Sequence, residues 1–187
     1  MIVTLTDKAA VRPRPAYRAR QFLASLHPVI TPGEWRTLVD WLPPAAARLF
    51  ERMSPRDQRH SLNVAQALVA GGHDQPDLLA AALLHDVAKS VQPGKRLRLR
   101  HRVVIVLLNA VNERWVRRLA SDDPASWRYP FYVHLNHPAM GAVLVEQAGC
   151  SPLTVELVRR HQVKLAGPPA DQIEQLLELL QSADNAN

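Results

Sequence analysis

LLAAALLHDVAK, residues 78–89, is the stretch whose reading decides the fold. Leu78, Ala81, Ala82 and His85 recur at the spacings of one helix face, so the run reads as a buried helix ending in His85-Asp86. Lys89 follows one turn further on. A helix that buries leucine and alanine and then presents a histidine beside an aspartate must find partners for both. A buried charge left alone costs several kcal/mol, roughly. A divalent cation is one such partner, and the other ligands would then come from elsewhere in the chain.

Outward from this run, proline marks where helices begin. Thr31-Pro32, Ser54-Pro55 and Ser151-Pro152 each place a capping side chain before a proline at the first helical position. Glu34 completes a capping box with Thr31. Pro76, Pro138 and Pro169 read the same way. The expected helices cover 16–26, 32–41, a short piece to about Arg52, 55–70, 76–89, 99–119, 138–147, 152–163 and 169–183. Gly71-Gly72 ends the fourth of them. Residues 121–135, with Pro124, Pro130 and several aromatics, read as an ordered loop. The apolar run Val103–Leu108 is β-branched, but no second strand exists to pair with it. The fold class is all-α: one helical bundle domain over 53–187 with a helical extension over 1–52.

Composition sets wider bounds. The chain has 187 residues, 47% hydrophobic and 21% charged, which suits a globular domain with a sizeable core. Its formal charge of +6 favours anionic partners such as phosphate esters, nucleotides or nucleic acid. The single cysteine, Cys150, excludes an internal disulfide and a cysteine zinc site. The N-terminal residues lack the apolar core of a signal peptide, and no run is long enough for a membrane span. A cytoplasmic, membrane-free protein is expected. No P-loop, dinucleotide fingerprint or HExxH is present.

Other helices offer further ligands. His60 lies on the face of Val64, Ala67 and Leu68; His137 precedes Pro138; His161 comes one turn after Leu157; Asp184 ends the last apolar helix. Alone, each reads as an ordinary core or surface residue. Together with His85-Asp86, they are polar groups on separate apolar helices, and bundle interiors are where helical proteins build binuclear metal sites.

The order His60, His85-Asp86, Asp184 resembles the H…HD…D signature of the HD superfamily of metal-dependent phosphohydrolases. RHSLNVAQALVAGG is similar to that family's first helix and LLAAALLHDVAK to its signature helix. NHPAMGAVLVEQAG followed by RRHQ is similar to the extra-histidine segments of binuclear members. The resemblance implies that His60, His85, Asp86 and Asp184 hold a first divalent cation. His137 and His161 would hold a second, with Asp86 bridging. Candidate metals are Mn, Fe, Co, Ni, Zn or Mg. His134 is the competing ligand, and His137 is preferred for its HPxxG context. At an expected helix N-terminus, His137 would be kept neutral by the helix dipole.

The implied activity is hydrolysis of a phosphate ester or anhydride of a small nucleotide-type substrate, with Asp86 and Lys89 as the catalytic pair. Lys89, Arg59, Lys95 and Arg96 are the candidate phosphate-binding residues. HDVAK and the H-x-x-x-G segment resemble bacterial HD hydrolases of symmetrical dinucleoside tetraphosphates. Nucleoside monophosphates and cyclic nucleotides stand beside that option. The GYP motif and second adjacent histidine of the cyclic-dinucleotide branch are absent, Gln162 following His161. That departure speaks against a trinuclear site and against cyclic-di-GMP. Two rival readings remain at this stage. One is an HD-fold di-iron oxygenase. The other is a non-catalytic module that binds nucleotide or nucleic acid through its basic surface.

Overall fold

The computed structural model describes residues 30–91, 101, 103–105, 107–108 and 114–187. These residues contain helices and turns but no strand. The helices are α1 Pro32–Trp41, α2 Pro44–Glu51, α3 Pro55–Ala70, α4 Pro76–Leu84, α5 Ala88–Val91, α6 Arg114–Leu119, α7 Tyr129–Gln147, α8 Pro152–Arg160 and α9 Gln172–Ala186. The described positions within 103–108 are helical, which removes the strand alternative for that apolar run. The helix expected over 16–26 lies outside the described residues, as do Lys95 and Arg96.

Helix α4 is the hub. Every residue from Leu78 to Leu84 is at most 5% exposed, as expected of a helix apolar on all sides. Its four leucines stabilise the fold by roughly 2 kcal/mol each through burial. It packs against α1, α2, α3, α8 and α9. Leu38 of α1 and Phe50 of α2 join one core with Leu62, Leu157, Leu177 and Leu180, so the first two helices share the interior of the later ones. A smaller cluster of Ile105, Val116 and Phe131 lies where α6 meets α7.

Thr31, Ser54 and Ser151 cap α1, α3 and α8 as the sequence indicates, each accepting from the third backbone N–H onward. Gly71 closes α3, and Gly72 has the left-handed φ of 82° that favours glycine. Glu34 does more than cap. It also receives a two-pronged contact from the Arg59 guanidinium at 2.7 and 3.1 Å, fastening α1 to α3. That pairing holds the Glu34 carboxyl down at about 2.

Four boundaries differ from expectation. First, α4 stops at Leu84, 85–87 form a turn and the short α5 follows, with N–H groups of Val87, Lys89 and Ser90 bonding to carbonyls three residues back. The His85 imidazole takes the Ala82 carbonyl, the acceptor that an unbroken helix would have given to the Asp86 N–H. Second, α7 begins at Tyr129 and runs through Pro138, so His137 is not at a helix N-terminus. Arg128 starts that helix by donating to the Leu119 and Arg118 carbonyls at the end of α6. Gly141 lets α7 pass close to its neighbours: a Cβ there would lie 3.3 Å from Val158 Cγ1 and 3.8 Å from the His85 carbonyl oxygen. Third, α8 ends at Arg160, leaving His161 as its C-cap rather than an interior residue. Fourth, Asp171, not Pro169, starts α9 by accepting from the Glu174 N–H at 2.8 Å, and the helix runs to Ala186, so Asp184 sits inside its last turn.

Helix α5, just after Asp86, is clamped to α3. Ser90 Oγ donates to Asp57 Oδ2 at 2.6 Å and accepts from the Ser54 N–H at 3.1 Å. Asp57 is 2% exposed, so the lost donor cannot be replaced by bulk water. Ser90→Ala is expected to cost about 1–2 kcal/mol, a fall of roughly 3–6 °C in thermal midpoint. Calorimetry that finds the midpoint unchanged would contradict the clamp.

Candidate metal centre

Five helices deliver side chains to one point beside the end of α4. His60 comes from the middle of α3, and His85 and Asp86 from the turn after α4. His137 comes from the interior of α7, His161 from the C-cap of α8, and Asp184 from the last turn of α9. His85, Asp86, His137 and His161 are all at most 5% exposed, whereas the side chains of His60 and Asp184 are 27% and 31% exposed. The cluster therefore opens towards solvent on the His60–Asp184 side.

Asp86 Oδ1 is the geometric centre. The Nε2 atoms of His137, His85 and His161 lie 3.4, 3.7 and 3.8 Å from it. Asp184 Oδ1 stands 2.8 Å from His60 Nε2 and 3.5 Å from His85 Nε2. Lys89 Nζ sits 2.7 Å from both Asp86 oxygens and donates a hydrogen bond to Oδ2. Two groups have donor atoms close enough to hold a metal ion: His60, His85 and Asp86, and Asp86, His137 and His161. Asp86 belongs to both.

Each buried imidazole is held by its other nitrogen. His85 Nδ1 donates to the Ala82 carbonyl at 2.9 Å, His137 Nδ1 to His134 at 2.7 Å, and His161 Nδ1 to Val158 at 2.8 Å. A carbonyl only accepts, so Nδ1 carries the proton and Nε2 faces the cluster. This is the usual way in which a protein orients a histidine ligand.

The residues fit a cation on two counts. Buried His85 Nε2 and Asp86 Oδ1 make no well-aligned hydrogen bond, although the carboxylates of Asp86 and Asp184 flank the first at 3.7 and 3.5 Å and the Lys89 ammonium lies 2.7 Å from the second, and a cation would satisfy both. Bonds of about 2.1 Å put neighbouring donors of a coordination shell roughly 3.0–3.4 Å apart; around Asp86 Oδ1, His137 stands at 3.4 Å, and His85 and His161 at 3.7 and 3.8 Å are a few tenths of an ångström wider. The donor set of imidazole and carboxylate is one that first-row divalent metals and zinc accept.

The electrostatics are those of an anion-centred cage. Burial alone would raise the Asp86 carboxyl, but Lys89 and His85 outweigh it and hold the group well below the usual carboxylate range. Asp184 is likewise held low against burial, by the hydrogen bond with His60 and by His85 Nε2 3.5 Å away. Burial pushes His161 down to about 3, with His85 and His137 adding to the effect. His137 is lowered by burial, which corrects the expectation that a helix dipole keeps it neutral. His85 is raised: burial opposes its charge, but the Asp86 and Asp184 carboxylates on either side of Nε2 prevail.

The remaining candidates separate clearly. His134 gives its backbone carbonyl to His137 and stacks on that ring at 6.2 Å, and neither ligand-capable group includes its side chain. The Arg59 guanidinium is engaged by Glu34 rather than presented in the cluster. Of the phosphate-binding candidates, Lys89 alone among the described residues stands in the cluster. Sequence reasoning missed the Asp57–Ser90 clamp that holds α5, the short helix bearing Lys89. Its only sequence signals were Asp57 three residues after the cap Ser54, and a serine directly after Lys89.

The sequence model of the HD domain family matches residues 58–186. The chain therefore belongs to the HD domain family, an all-α family whose members bind divalent metals and often act as phosphohydrolases. No curated protein and no solved structure matches the chain. Among the described residues, no helix is long and apolar enough to cross a membrane.

Proposed function

We propose that the protein is a metal-dependent phosphohydrolase that cleaves a phosphate ester or anhydride of a small nucleotide-type substrate. The observation that carries this reading is Asp86, a buried carboxylate common to both ligand-capable triads. One carboxylate shared by two donor sets suits a pair of cations a few ångströms apart. Such a pair, when bound, lowers the pKa of water towards neutrality and stabilises the charge that develops on a phosphoryl group.

In this reading the chain's own groups divide the work. His60, His85, Asp86 and Asp184 hold the first cation. His137 and His161, with Asp86, hold the second. Their protonated Nδ1 atoms lock the rings so that no reorganisation is needed on loading. Lys89, 14% exposed at its side chain, sits at the rim of the carboxylate. A phosphate entering from the His60–Asp184 side would draw its ammonium from Asp86 onto a non-bridging oxygen. The metal is Mn, Fe, Co, Ni, Zn or Mg, and the formal charge of +6 favours an anionic substrate.

The test is a panel of dinucleoside polyphosphates, nucleoside monophosphates and cyclic nucleotides, assayed with the Mn- or Mg-loaded protein. Release of phosphate or nucleotide from one class, abolished by a chelator, is the expected result. No turnover of any phosphorylated compound, with oxygen uptake by the iron-loaded protein instead, would overturn the reading in favour of an oxygenase.

A further inference from the structure

The three buried imidazoles share one device: each Nδ1 donates to the carbonyl three residues earlier. Two of those carbonyls are easy to account for. Ala82 lies in the last turn of α4 and Val158 in the last turn of α8, and the last four carbonyls of a helix have no intrahelical partner. His134 is different, because it lies in the interior of α7, which continues to Gln147. There the carbonyl would ordinarily receive the N–H of the residue four positions on. That residue is Pro138.

Proline has no N–H, and its ring pushes against the carbonyl four residues back, tilting it out of the helical ladder. We propose that Pro138 is a positioning residue: it hands the His134 carbonyl to His137 Nδ1 and so leaves the lone pair of His137 Nε2 facing Asp86 Oδ1. This rests on the metal reading above. The cost is local. An interior proline weakens a helix, whereas alanine at the same place would restore the hydrogen-bond ladder. The chain therefore carries a destabilising residue next to the second ligand-capable triad, at the one histidine of the three that no helix end serves.

The experiment uses the full chain and Pro138→Ala, both stripped of metal and ¹⁵N-labelled. In the wild type, the His137 ring should show a protonated Nδ1 and an unprotonated Nε2. In Pro138→Ala, the new N–H competes for the His134 carbonyl, and the ring should populate both tautomers. The thermal midpoint of the metal-free variant should rise by roughly 5 °C. Titration with Mn²⁺ should show the affinity of the second cation falling about tenfold, with the first unchanged. Stability and metal affinity moving in opposite directions is the signature that a purely structural proline would not give. An unchanged His137 tautomer in Pro138→Ala overturns the inference, whatever the titration shows. A wild-type protein with the tautomer fixed that binds no second cation instead counts against the metal reading, while the role of Pro138 in setting the ring stands.

Discussion

Asp86→Asn is expected to lose both cations together and to lower turnover by on the order of 10³-fold or more. The reason is the shared atom. His137, His85 and His161 approach Asp86 Oδ1 within 3.4–3.8 Å, so neutralising this one group weakens both donor sets. The histidine variants should behave differently. His60→Ala should empty only the first site, and His137→Ala or His161→Ala only the second. Asparagine keeps the volume, and the buried leucines of α4 are untouched, so the helical circular dichroism should persist. The variant leaves Lys89 without its counter-charge, at a cost of about 2 kcal/mol. Elemental analysis and a phosphate-release assay on the same preparations check the result. An Asp86→Asn protein that keeps two metals and its turnover would refute the bridging role.

Affinity for the first cation is expected to fall more steeply on acidification than affinity for the second. His85 is the cause. Burial opposes its charge, but Asp86 and Asp184 prevail and raise its pKa, so a proton competes with the cation for Nε2 up to a higher pH than at an ordinary imidazole. His137 and His161 are lowered by burial and bring no such proton near pH 7. Loading the first site should therefore release more protons than loading the second. Calorimetry in buffers of different ionisation heat measures this directly. Equal proton release at both sites would contradict the account.

The stability of the metal-free protein follows the same groups with opposite signs. The lowered His161 contributes stability that is complete above its unfolded value near 6.5 and is lost as pH falls towards about 3. The lowered Asp86 and Asp184 add losses at lower pH still. The raised His85 contributes in the other direction: its share is complete below about 6.5 and is lost as pH rises through its folded value.

Much of this was legible in the chain because it depends on local chemistry. Thr31, Ser54 and Ser151 cap where a hydroxyl precedes a proline, and α4 is buried because it is apolar on every side. His60, His85, Asp86, His137, His161 and Asp184 each read alone as an ordinary core or surface residue, and it was their order along the chain, resembling the HD signature, that picked out the set that the fold brings together. What could not be read depends on contacts made in space. Proline usually opens a helix, so Pro138 suggested a start. The packing of α7 against α5, α6 and α8 carries the helix through it instead. The break at His85 was hidden because its cause is a side chain taking a backbone acceptor, with no glycine or proline to mark it. The Asp57–Ser90 bond joins residues 33 positions apart, and periodicity along a helix carries no information about such a pair.

The most direct measurement is anomalous diffraction from crystals of the full chain grown with Mn²⁺. The account predicts two peaks a few ångströms apart, one on each side of Asp86, the first contacting His60 and His85 and the second His137 and His161. A single peak away from Asp86, or none inside the cluster, would contradict it.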